Sequence, residues 1–218
     1  MKSLISTTAG ALVLALALGT GAALAAQPAT PAPVAGTAAP AAPQLHEAMR
    51  SLWQGHVQNT RAYAMAVHKG DAAATARAAD GVVANARQLS DAVAGFYGDA
   101  AGTRMMELLG GHWGGVKALT DATHAGDAAG AEKAMKDLST NADAIAAFLS
   151  GANPHLTADG VRGLLLAHAA HHQAQVKEIM RGDMQAEAST WKAMQAHMDV
   201  IADALAGAIA QQFPDKAA

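Results

Sequence analysis

The chain has 218 residues, no cysteine, and 15 basic against 18 acidic residues, for a formal charge of −3. Without cysteine there is no disulfide framework and no thiolate metal ligand, so packing alone must hold the fold. There is no basic excess or patch, so neither nucleic acid nor an anionic membrane surface is an expected partner.

Met1 and Lys2 precede an apolar run from Ala11 to Leu18, and small residues continue to Ala26. A basic start, a short apolar stretch and an A-x-A-like end predict a secretory signal peptide over 1–26. The run is shorter than the ~20 residues of a spanning helix. The expectation is an exported protein, periplasmic or secreted, with no membrane insertion after signal cleavage. Residues 27–43 hold five of the seven prolines and no charge, a composition that predicts a flexible tether. The folded domain is then 44–218, long enough for one sizeable core.

From Gln44 onward only Pro154 and Pro214 remain, alanine is abundant, and β-branched and aromatic residues are thin. That composition predicts an all-α fold. Gly70-Asp71, Gly98-Asp99, Gly126-Asp127, Asn153-Pro154 and Gly182-Asp183 mark breaks, with glycine closing one helix and aspartate capping the next. Six helices are predicted, at about 44–69, 72–96, 101–125, 128–150, 157–181 and 184–212. Shifted by 56, the segments align without gaps: Leu52, Leu108 and Leu164 superpose, as do Met49, Met105 and Val161, and Leu89, Ile145 and Ile201. The sequence therefore predicts a helical bundle built from three 56-residue αα-hairpin repeats.

His56, His112 and His168 share one column of the repeat, on the apolar stripe of each first helix. A matching polar column, Asn85, Asn141 and His197, lies on each second helix, equally far from the turn. Each hairpin is thus expected to set a histidine opposite Asn85, Asn141 or His197 at mid-height. One reading of this layer is structural, a set of satisfied hydrogen-bond pairs that fixes register. The other is a transition-metal site with His56, His112, His168 and His197 as ligands, because bundle cores recurrently hold metals and imidazole suits zinc, copper, nickel or iron. His172, one turn beyond His168, could chelate with it, with His171 as an alternative. Met194 and Met198 beside His197 could add soft thioether ligands, though methionine commonly fills helical cores. His68 and His124 suit helix C-termini, and His46 and His155 read as solvated.

No G-x-S-x-G, H-E-x-x-H or phosphate-binding glycine loop is present, so an enzyme is not favoured. Gly110, Gly111, Gly114 and Gly115 surround His112 inside a helix, which implies close helix approach, room for a ligand or a locally weak helix.

The segments Leu52-Trp53-x-x-His56 with Thr60-Arg61, Phe96-Tyr97-Gly98, Asn141 to Ser150 (NADAIAAFLS), Asn153-Pro154 and Gln212-Phe213-Pro214 together resemble a poorly characterised family of bacterial helical proteins, often exported. The resemblance implies a helical bundle and histidines matching His56, His112 and His168, and brings no established activity. That group tends to carry an acidic residue before each histidine, where this chain has Gly55, Gly111 and Ala167; His197 does not match its pattern. The sequence thus leads to an exported helical bundle that binds or buffers a transition metal. The alternative is an interaction or stress-protective module with a structural histidine layer and an unknown protein partner.

Overall fold

The computed structural model describes residues 42–217. The predicted signal peptide and nearly all of the predicted tether lie outside the described residues. Six long helices follow one another: α1 (Pro43–Lys69), α2 (Ala72–Tyr97), α3 (Asp99–His124), α4 (Ala128–Ala152), α5 (Ala158–Arg181) and α6 (Met184–Gln212), before a short α7 (Pro214–Ala217). Each long helix ends within about two residues of its predicted limits, and only α7 was not expected. The described residues contain no strand, and none of their helices is long and apolar enough to cross a membrane.

The turns explain this agreement. Gly70, Gly126 and Gly182 have φ of 67°, 72° and 71°, the left-handed conformation that closes a helix cheaply only at glycine. Asp71, Asp127 and Asp183 then accept hydrogen bonds from the backbone N–H groups of Ala74, Gly130 and Ala186. Each carboxylate satisfies a donor that the new helix would otherwise leave bare.

The six long helices form a closed ring. Each packs on its chain neighbours, α6 returns to pack on α1, and α1, α3 and α5 also touch one another. Short antiparallel turns make those three inner helices parallel. Helices α2, α4 and α6 each lie against two of them from outside. Residues 56 apart on the inner helices consequently meet in layers across one central axis. Trp53, Leu109 and Leu165 make one buried layer, His56, His112 and His168 the next, then Thr60, Val116 and His172, then Tyr63, Leu119 and Gln175.

The outer polar column has a different task from the one expected of it. The Asn85 amide donates to the Leu52 carbonyl at 2.9 Å, and Asn141 donates to Leu108 at 3.0 Å. His197 Nε2 donates to Leu164 at 2.9 Å, across the same 33-residue offset. These bonds tie each outer helix to a backbone carbonyl one turn before a histidine, instead of pairing side chain with side chain.

Two ion-pair groups fasten α6. Arg61 forks onto Glu187 at 2.6 and 2.7 Å, and Gln175 donates to the same fully buried carboxylate at 2.9 Å. Trp191 lies 5.0 Å beneath the guanidinium. Nearer the chain ends, Asp203 takes both Arg50 and His46. His46 is therefore buried and paired, not solvated, because α6 brings a carboxylate to it.

The glycines around His112 divide by face. A Cβ on Gly115 would lie 2.7 Å from Leu138 Cδ2, and one on Gly111 would lie 3.0 Å from Asn141 Nδ2, whereas Gly110 and Gly114 face open space. Gly111 and Gly115 thus let α4 approach α3 closely. Gly114→Ala should stabilise the protein by up to about 1 kcal/mol through helix propensity. Gly115→Ala should instead destabilise it by about 1 kcal/mol, because overpacking against buried Leu138 exceeds that gain. Urea unfolding of the two variants checks the opposite signs.

Candidate metal centre

At the centre of the ring the inner helices turn three histidines toward one point. The ring centroids of His56, His112 and His168 are 5.6, 5.6 and 5.4 Å apart, a nearly equilateral triangle. His172, one helical turn further along α5, adds a fourth ring 4.4 Å from His168, 5.9 Å from His112 and 6.1 Å from His56. Each of the four offers a nitrogen, and these nitrogens all lie within 4.8 Å of one another. The four residues are 3 %, 6 %, 2 % and 1 % exposed, so all four side chains are buried.

Their hydrogen bonds do not close. His168 Nε2 and His172 Nε2 face each other at 3.0 Å. His56 Nε2, His112 Nε2 and His168 Nδ1 are buried without any partner in the protein. A buried polar atom left unpaired costs about 1–3 kcal/mol, so a purely structural layer would carry three such penalties at one spot. Burial pushes His56 down to about 3, helped by neighbouring His112. Burial likewise takes His112 to about 4, partly offset by Asn141. His168 and His172 also lie well below the ordinary histidine value, through burial first and the surrounding imidazoles second. All four are neutral near pH 7, the form that binds metal.

A tetrahedral zinc with bonds of about 2.0–2.1 Å needs ligand nitrogens about 3.3 Å apart; the four nitrogens here lie within 4.8 Å of one another, so the group could hold an ion if the rings drew together. Asn85 and Asn141 each keep a buried Oδ1 without a hydrogen bond, and an acceptor of that kind orients the far N–H of a ligating imidazole.

Of the expected residues, His56, His112, His168 and His172 come together, and His197 does not join them. With its Nε2 engaged by Leu164, His197 stands where Asn85 and Asn141 stand in the other hairpins, 5.3 Å from the His171 ring. His171 likewise points away from the group, toward the outer helix. Met194 and Met198 are fully buried in the apolar cluster with Met49, Trp53, Leu89 and Ile201, where they fill space.

Sequence reasoning missed what lies beside the cluster. A cavity of about 390 Å³ extends from His112 and His168 toward the α4–α5 connection, walled by Trp53, Met105, Leu109, Val161 and Leu165. Its apolar lining looks like ordinary core in the sequence. The same end of the bundle is latched by the segments that carry the family resemblance. Tyr97 donates to Gln212 at 3.0 Å and accepts from Asn153 at 2.8 Å, and Gln212 donates to the Ala152 carbonyl at 3.0 Å. Phe213 stacks edge-on against Tyr97 at 5.0 Å.

The lowered histidine values fix a pH dependence. In the unfolded chain these groups titrate near the ordinary value of about 6.5; in the fold, His56 and His112 stay neutral down to about 3 and 4. Below pH 6.5 the unfolded state binds more protons, so stability falls as pH falls toward those folded values. Metal-free protein should have constant stability from pH 7 to 8. From pH 6.5 downward it should lose up to about 1.4 kcal/mol per pH unit for each such histidine. Denaturant titrations at a series of pH values measure that slope.

No protein-family model, curated protein or solved structure matches the chain, so its function has to be read from the geometry of the cluster itself.

Proposed function

We propose that this protein binds or buffers a divalent transition metal through His56, His112, His168 and His172. The observation that carries the reading is four buried imidazoles with nitrogens within 4.8 Å of one another, three of their nitrogens being unpartnered. A metal would satisfy what the protein leaves bare. The nitrogen-only donor set, arranged as a triangle with one apical ring, suits zinc best, with copper, nickel and iron as competitors.

On this reading the bundle is three copies of one hairpin, and the repeated position supplies three ligands by symmetry. The fourth comes from a place where symmetry is broken: Thr60 and Val116 stand in α1 and α3 where α5 has His172. The protein would act after export, in the periplasm or outside the cell. A protein-docking role has less support, because Met184 and Val200 are the only large apolar side chains exposed among the described residues.

Protein prepared without chelators or affinity tags should carry close to one metal per chain, or take up one zinc tightly after dialysis. Replacing His56, His112, His168 or His172 by alanine should weaken zinc binding by roughly a hundredfold or more, as one of four bonds is lost. His197→Asn, which copies Asn85 and Asn141, should leave zinc binding unchanged. Competition titration against a zinc chelator gives both numbers, and a chain that takes up no metal refutes the proposal.

A further inference from the structure

The cavity and His172 stand on opposite sides of the histidine triangle. Helices α1, α3 and α5 run parallel, and the walls from Trp53, Met105, Leu109, Val161 and Leu165 come from the turns before His56, His112 and His168. His172 comes one turn after His168 and does not line the cavity. His112 and His168 form the cavity floor. An ion held by the four histidines would therefore face the cavity through the open face of the triangle, opposite its apical ligand.

Resting on the metal reading above, we propose that this face is an exogenous coordination position, and that the cavity receives an apolar monocarboxylate whose oxygen binds the ion. The charge balance selects the head group. Four neutral imidazoles leave the double positive charge of the ion uncompensated, and the cluster contains no carboxylate. Among the described residues no Asp, Glu, Lys or Arg lines the cavity either, so an anion brought to the metal meets no competing charge from them. The wall selects the tail, because leucine, isoleucine, valine and methionine side chains gain by covering hydrocarbon. A volume of about 390 Å³ falls in the range of small-molecule sites.

Two further features fit this occupant. Trp53 lines the cavity, and its Nε1 is buried without a hydrogen-bond partner, so a small turn of the indole would bring a donor to a second carboxylate oxygen. His155, Thr157, Gly160 and Ala204 line the cavity from exposed positions, which gives the ligand a way in beside the α4–α5 connection. Zinc-class ions expand from four to five ligands readily, so carboxylate binding need not displace a histidine.

Cobalt(II) loaded into the full chain provides the test, because its visible bands are intense when four-coordinate and weaken when a fifth ligand binds. Octanoate should convert the four-coordinate spectrum to a five-coordinate one, at a concentration at least tenfold lower than acetate requires. Ala204→Phe at the mouth and Leu165→Phe in the wall should each raise the octanoate requirement at least tenfold while leaving cobalt affinity and the acetate response unchanged. If cobalt binds to the histidines but octanoate acts no better than acetate, or acts equally well on both variants, the cavity is not the binding site and the inference fails alone. Loss of the protein-bound spectrum on adding octanoate would mean that the carboxylate strips the metal, which also overturns it. A chain that binds no cobalt removes the metal reading and this inference together.

Discussion

Three parallel helices that meet on one axis must agree on what stands at the axis, and every other element of this bundle is arranged around that requirement. A helix presents one residue to the axis about every turn, and the 56-residue spacing brings corresponding positions to the same height. Where the shared position is apolar, as in the layer of Trp53, Leu109 and Leu165, the side chains are buried and also wall the cavity. Where it is histidine, three imidazoles are driven together at buried positions. The outer helices, the Gly–Asp turns and the Asn–carbonyl bonds all hold that meeting in register.

The electrostatic consequence runs against stability. Burial disfavours a charge on any of these imidazoles, and a second charged ring beside the first would add repulsion; their unpaired nitrogens also cost free energy that an apolar trio would not. A fold that keeps such a layer has accepted a local loss at its buried centre. Threefold agreement accounts for three of the rings. It does not account for His172, whose counterparts Thr60 and Val116 are content with a backbone carbonyl and with apolar contacts, respectively. The asymmetric ring converts a triangle of donors into a cage.

Much of this was legible in the sequence, for identifiable reasons. Glycine and aspartate at the turns have few other uses at those positions, so helix limits could be read closely. The 56-residue spacing suggested a common height for corresponding residues, and His56, His112 and His168 do come together. Height does not give distance from the axis. Asn85, Asn141 and His197 share the level of the histidines but belong to outer helices, so their side chains meet backbone carbonyls instead of the central rings. That is why His197 stands apart from the cluster, and why His172, one turn off the layer but on an inner helix, comes together with the three. The cavity left no trace, since Leu109, Ile145 and Leu165 would read the same in a filled core. The latch among Tyr97, Asn153 and Gln212 was visible only as separate short segments whose contact no spacing rule predicts.

The closure of α6 onto α1 has a consequence for how the chain could be ordered. His46 near the start of α1 holds Asp203 near the end of α6, so the first and last long helices meet at the same end of the bundle. The ring has a place where the chain starts but no helix that packing treats as first. A chain opened at Gly98, between α2 and α3, and rejoined between the start of α1 and the end of α6 should keep every axial layer and all four central histidines in place. Connectivity is therefore nearly independent of the site here, and an order of hairpins beginning with the second would be an equally good solution to the same packing problem.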